Sequence, residues 1–173
     1  MGPKPVAMCL IAVSCLTTVA EGQTSFWDSP QAYVEQTRPS DTPQIFAPYR
    51  LTEPGTIAMD RITFSQDGRE IYYLQSDRWG SLANVKIKVL RYEGHGWTGP
   101  TVLNEHLFAP TMAPDDREIY FEDDNPKRVW RSERTKDGWT APVVAYEEPF
   151  DIYRLYTDEE RNLLHLERKR CRG

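Results

Sequence analysis

Cysteine and histidine are both scarce, three of each in 173 residues. Cys9 and Cys15 lie in the apolar start of the chain, so once that start is removed only Cys171 is left. An internal disulfide and a cysteine-held metal are then excluded. His95, His106 and His165 stand at no metal-ligand spacing from one another or from a cysteine. They read as scattered surface or half-buried residues. Positive charge is short too: the formal net charge is −5. That argues against a nucleic-acid partner, because neutralising phosphates needs a basic surface. No apolar run reaches the roughly 20 residues of a membrane span. Ser65, Ser76, Ser81 and Ser132 occur without a Gly-x-Ser-x-Gly elbow, and no glycine-rich phosphate loop precedes a helix. Neither a catalytic residue nor a cofactor is expected, and the chain is not read as an enzyme.

What is abundant is aromatic: 12% of the chain, with five Trp and nine Tyr. Such side chains suit the half-buried face of a pleated sheet, so an all-β fold is expected. Residues 1–20 are set apart by having Lys4 as their only charge, an apolar run from Val6 to Val13, and small residues in Thr18-Val19-Ala20. This is the layout of a secretory signal peptide, and it predicts a mature start at Glu21 in the periplasm or outside the cell. Ala12-Val13-Ser14-Cys15 is a lipobox-like alternative, with alanine where leucine would be usual, and implies a lipid on Cys15. Residues 21–44 hold Pro30, Pro39 and Pro43 without a sustained period. They read as an extended lead-in, with Phe26 and Trp27 tucked against the domain.

From Ile45 to about Glu167 the chain repeats itself. Ile62-Thr63-Phe64-Ser65-Gln66-Asp67-Gly68-Arg69-Glu70-Ile71-Tyr72-Tyr73 returns 48 residues later as Pro110-Thr111-Met112-Ala113-Pro114-Asp115-Asp116-Arg117-Glu118-Ile119-Tyr120-Phe121. A second phrase, Gly96-Trp97-Thr98-Gly99-Pro100, returns 42 residues later as Gly138-Trp139-Thr140-Ala141-Pro142. The unequal offsets place a six-residue indel between Leu74 and Glu93. A degraded third copy follows over Leu155–Leu166, 44 residues after the second. Each copy reads as an alternating strand, a tight Asp-Gly type turn and a second strand. Lys86–Tyr92 makes a third strand, Gly94-His95-Gly96 a turn, and Trp97 opens a fourth. Four strands in such a period make one propeller blade.

At these residues the sequence resembles the WD40-like, TolB-type β-propeller repeats, whose mark is a phrase like Phe-Ser-Pro-Asp-Gly-x-x-Ile-Tyr-Phe. Here Gln66 replaces the proline of the first copy and Asp116 the glycine of the second. The resemblance covers roughly Tyr33 to Glu167. It implies a partial β-propeller of four-stranded antiparallel blades, about two and a half in number, ending in a basic tail at 168–173. It implies an exported, non-catalytic module that meets a protein, peptide or glycan. The alternatives are the propeller part of a hydrolase similar to prolyl-oligopeptidase-type serine peptidases, or a truncated remnant.

The repeat positions are Phe64, Asp67, Gly68, Ile71, Tyr73, Trp97 and Pro100 in the first copy. In the second they are Met112, Asp115, Asp116, Ile119, Phe121, Trp139 and Pro142. A residue that recurs in each blade serves the blade, so the aspartates are expected to bond turn backbone. Trp97 and Trp139 are expected to anchor packing between sheets; stacking on a sugar is the alternative. Glu122-Asp123-Asp124-Asn125 lacks the spacing of a calcium loop and reads as a solvated hairpin connection. An unclosed ring also predicts open apolar faces at Ile62, Phe64, Ile71 and Tyr73 or their opposites, an unpaired edge near Leu163–Leu166, and self-association.

Overall fold

A computed structural model describes residues 25–125, 128–147, 152–158 and 163–167. The leader at 1–20 and the basic tail at 168–173 lie outside the described residues, as does the side chain of His165.

The chain is all-β, a partial β-propeller of four-stranded antiparallel blades. The first blade is β1 (Ile57–Phe64), β2 (Glu70–Ser76), β3 (Lys86–Tyr92) and β4 (Trp97–Asn104), paired in that order. The second is β5 (Phe108–Met112), β6 (Glu118–Glu122), β7 (Arg128–Thr135) and an outer strand broken into β8 (Gly138–Trp139) and β9 (Val143–Glu147). The break falls at Ala141-Pro142. The same point of β4 holds Gly99-Pro100, where the pairing with β3 slips. Proline offers no N–H to the ladder, which accounts for the interruption in both blades. A third hairpin pairs β10 (Ile152–Thr157) with β11 (Leu163–Glu167).

The register reproduces the repeat. Phe64 faces Ile71 in the first blade and Met112 faces Ile119 in the second. The third hairpin pairs Thr157 with Leu163. Its turn is one residue shorter, so Thr157, and not Tyr156, stands at the place of Met112. Each innermost strand also carries a bulge, between Met59 and Ile62, Phe108 and Thr111, and Ile152 and Arg154. Asp60 and Ala109 adopt positive φ there. A bulge bends and twists a strand, which the crowded inner edge of a ring of sheets requires. The inner strands meet: Arg61 donates to the Thr111 hydroxyl and lies 5.4 Å from the Tyr156 ring.

Two cores result. Between the blades lie Tyr72, Leu74, Ile87 and Val89 of the first sheet against Leu107, Met112, Ile119 and Phe121. The opposite face of the first blade, with Ile71, Tyr73, Leu90 and Trp97, is covered by Val34, Ala47, Leu51, Phe26 and Phe46. This corrects the expectation of an open first blade: Ile71 and Tyr73 are fully buried. The lead-in is also not extended. It begins with two short 3-10 turns, Phe26–Asp28 and Pro30–Tyr33, and residues up to Leu51 fold as a cap.

The cap stands where a preceding blade would. Ile71 and Tyr73 turn to the cap as their repeat partners Ile119 and Phe121 turn to the first blade. Trp97 donates its indole N–H to the Gln31 carbonyl at 2.7 Å, and Trp139 donates its own to the Tyr72 hydroxyl at 3.1 Å. Burying an apolar side chain of this size contributes about 1.5–3 kcal/mol, so the cap supplies what an unpartnered sheet face lacks.

Candidate functional site

The groove between the two blades has two ends, set by strand direction. At one end lie the hairpin turns before β2 and β6. At the other lie the loops that follow those strands.

The turn end is closed by a clasp. Glu70 opens β2, and its carboxylate accepts from Arg91 at 2.9 Å, from the Tyr72 hydroxyl at 2.8 Å, and from Arg134 of the second blade at 2.6 Å. The Arg134 guanidinium lies 4.4 Å from the Trp139 ring centre, so one cation serves both an ion pair and an aromatic face. Burial pushes the Glu70 carboxyl up, but Arg134, Tyr72 and Arg91 outweigh it and leave it below its ordinary value. Burial, reinforced by Glu70, pushes the Tyr72 phenol up to about 12. The pairing within a blade recurs: in the second, Arg131 and Tyr120 donate to Glu118 at 3.0 and 2.6 Å. A cleft of about 410 Å³ at this end is lined by Arg69, Glu70, Arg91, Asp116 and Arg134 among others. Its opposed charges satisfy one another, and the chemistry is that of a structural joint.

The repeat positions fall within this scheme. Asp67 accepts from the Ser65 hydroxyl at 2.7 Å and the Arg69 amide at 3.0 Å, and Asp115 accepts from the Arg117 amide at 3.1 Å. Both serve their own turn. Asp116 does not: both its oxygens lie 2.8 Å from the Gln66 amide nitrogen of the first blade. It sits at φ 58°, the place that Gly68 fills at φ 75°. Gly68 in turn lies under the Trp27 ring of the cap, where an added Cβ would come within 2.7 Å. Each turn is thus read by its neighbour, once through a missing side chain and once through a charged one. Phe64 packs edge-on to Trp27 and Phe46.

The loop end is different, because its residues do not recur. The six-residue indel resolves to the end of β2, two residues longer than β6, and to the connection that follows it, residues 77–85 against 123–127 in the second blade. This connection is folded on Ser76, whose buried hydroxyl oxygen lies 3.0 Å from both the Arg78 and the Ser81 carbonyl oxygens and shares its one proton between them. Asn84 donates to Asp77 across the loop at 3.3 Å. This frame holds Trp79 in solvent, 79% exposed. Neither periodicity nor motif singles out Trp79; the unequal repeat offsets are the signal that could have found it. Across the groove, the acidic run forms the β6–β7 connection. Asp123 is buried and accepts from the Trp130 indole N–H at 2.8 Å and the Asn125 amide at 2.9 Å, with Arg128 at 2.7 Å. It is a structural carboxylate in a half-buried loop and not simply solvated.

No group of three or more potential metal ligands exists among the described residues. His95 and His106 are exposed in turns. No helix among the described residues is long and apolar enough to cross a membrane. Ile62 is partly exposed, as are Val143, Val144 and Tyr146 on β9. No protein-family model matches this chain, and no curated protein matches it.

Proposed function

We propose that the chain is an exported, non-catalytic interaction module of the cell envelope, built on repeats of the WD40-like, TolB-type kind, which docks a polypeptide partner through the β2–β3 loop. The observation that carries this reading is Trp79. An insertion that strand pairing does not need places the largest side chain in water. Tryptophan is among the residues that dominate binding energy at protein interfaces. The loop is held by Ser76 before any partner arrives, which lowers the ordering cost of docking. Leu82, also exposed, adds apolar area beside it in sequence. Export is supported by the residues of the leader alone.

The test is photo-crosslinking in secreting cells, with benzoylphenylalanine at position 79 and, as control, at exposed position 143. The expected result is a discrete protein adduct from position 79 that an excess of the unmodified chain competes away and a Trp79→Ala chain does not. Equal adducts from both positions, or competition by the Trp79→Ala chain, would contradict the reading. Sequencing the exported chain from its N-terminus is expected to begin at Glu21; an intact Met1 would contradict export.

A further inference from the structure

The cleft at the loop end has chemistry that neither the clasp nor the Trp79 loop uses. It encloses about 300 Å³ between Asn104, His106, Leu107, Asp124, Trp130 and Pro142, at the small end of ligand pockets, with Asp123 behind. Leu107 belongs to the core and Pro142 recurs as Pro100, but Trp130 and Asp123 have no counterpart in the first blade. By the repeat offsets, Trp130 stands where the first blade has Lys88, and Asp123 where it has Gln75.

The indole is fixed. Its N–H is held by Asp123, itself 7% exposed, so the ring cannot swing out of the cleft. Leu107 and Pro142 add apolar wall. Around this wall stand three polar groups with spare capacity. Asn104 accepts the His106 and Leu107 amides at 2.8 Å with its oxygen, while its amide nitrogen donates to nothing among the described residues. The side chains of Asp124 and His106 are exposed and make no hydrogen bond among the described residues. The cleft thus offers a fixed indole as wall and, among the described residues, a donor, an acceptor and an imidazole that can be either, none of them engaged by another side chain.

Charge narrows the ligand. The Arg128 guanidinium already lies 5.6 Å from the Trp130 ring centre and repels a second cation. The carboxylates of Asp123 and Asp124 disfavour an anion. What remains is a neutral molecule that pairs an apolar face with hydroxyls able to donate and accept together. We infer that this cleft is a subsite for a neutral pyranose sugar, stacked on Trp130 and hydrogen-bonded by Asp124, Asn104 and His106. The site shares no residue with the Trp79 loop and stands or falls separately from the polypeptide-docking reading.

The experiment is saturation-transfer NMR on the full mature chain with glucose, mannose and N-acetylglucosamine as probes, followed by titration calorimetry of any that binds. At least one sugar is expected to receive saturation on its ring protons. Asp124→Asn should weaken its affinity about tenfold, the worth of one charge-assisted hydrogen bond. His106→Ala should weaken it by a smaller factor, and Trp79→Ala should leave it unchanged. Both altered residues of the cleft are exposed, so the fold is retained in the variants. Absence of transfer to all three sugars would overturn the inference. So would binding that Asp124→Asn and His106→Ala leave untouched, or an arginine-rich peptide that displaces the sugar by binding the same cleft more tightly.

Discussion

Asp116 holds the Gln66 amide across the blade boundary, both carboxylate oxygens at 2.8 Å, from a backbone position that the first blade gives to glycine. Two effects oppose each other there. A left-handed conformation costs a non-glycine residue about 1–2 kcal/mol, at the lower end for aspartate. A hydrogen bond to a charged group contributes about 1.5–3 kcal/mol, reduced here because burial disfavours the ionised carboxyl. What remains exceeds the strain, so Asp116→Gly is expected to destabilise, by at most about 1 kcal/mol, although it relieves the backbone. Asp116→Asn, which keeps an acceptor and tolerates this φ, should cost less. Urea denaturation of the three chains decides; a glycine variant more stable than the parent would show that the contact contributes nothing.

The clasp predicts a graded series at Trp139. Trp139→Phe keeps a ring beside Arg134 and loses the bond to Tyr72, for about 1 kcal/mol. Trp139→Ala also loses the packing, for about 3 kcal/mol in all. A double-mutant cycle of Glu70→Gln and Arg134→Gln should show strong coupling, since the pair is direct. Additive losses would place the clasp's energy elsewhere.

Acid should loosen this joint through Glu70. Its folded pKa is lowered, chiefly by Arg134, Tyr72 and Arg91 against the opposing effect of burial. The stability it contributes is therefore complete above the ordinary glutamate value of about 4.3 and is lost as pH falls through the lower folded value. Asp116 has the opposite sign, because burial raises its pKa; its ionised form costs stability that falling pH returns. In unfolding titrations from about pH 5 to pH 3, Glu70→Gln should flatten the loss and Asp116→Asn should steepen it. Identical slopes in all three chains would mean that neither group changes its proton affinity on folding.

Gly68 reports on the cap. Gly68→Ala meets Trp27 at 2.7 Å and also adopts a strained φ, so a loss of about 2 kcal/mol is expected. In a Trp27→Ala background the steric part disappears and about 1 kcal/mol of backbone strain remains. An equal penalty in both backgrounds would show that Trp27 does not rest on the turn.

The blades were legible because their strands obey period two and their turns carry Asp and Gly at fixed places. Phe64, Ile71, Ile119 and Phe121 lie on the strands and registers that pattern predicts. The cap was legible only at Phe26 and Trp27, which pack on Trp97 and Phe64 as their place in the lead-in suggests. Val34, Ala47 and Leu51 are apolar residues scattered among prolines with no period, and their burial depends on a sheet face remote in sequence. The inner-strand bulges left no sign either, since Asp60 and Ala109 are not glycines. At the joint, Glu70 and Arg134 are two of many exposed-looking charges, and only the register of three strands brings them to 2.6 Å. Trp130 and Trp79 carry no repeat signal, because neither has a tryptophan counterpart in the other blade.

The central claim is that residues 26–51 act as the missing neighbour of the first blade, and native-state hydrogen exchange of the intact chain in increasing sub-denaturing urea tests it most directly. If the claim holds, the amides of Val34 and Leu51, which donate to Gln31 and Ala47, open together with those of β2 and β3 in one cooperative unit of the same free energy and urea dependence. Exchange of the cap amides at far lower free energy, with β2 and β3 still protected to the level of global unfolding, would contradict it.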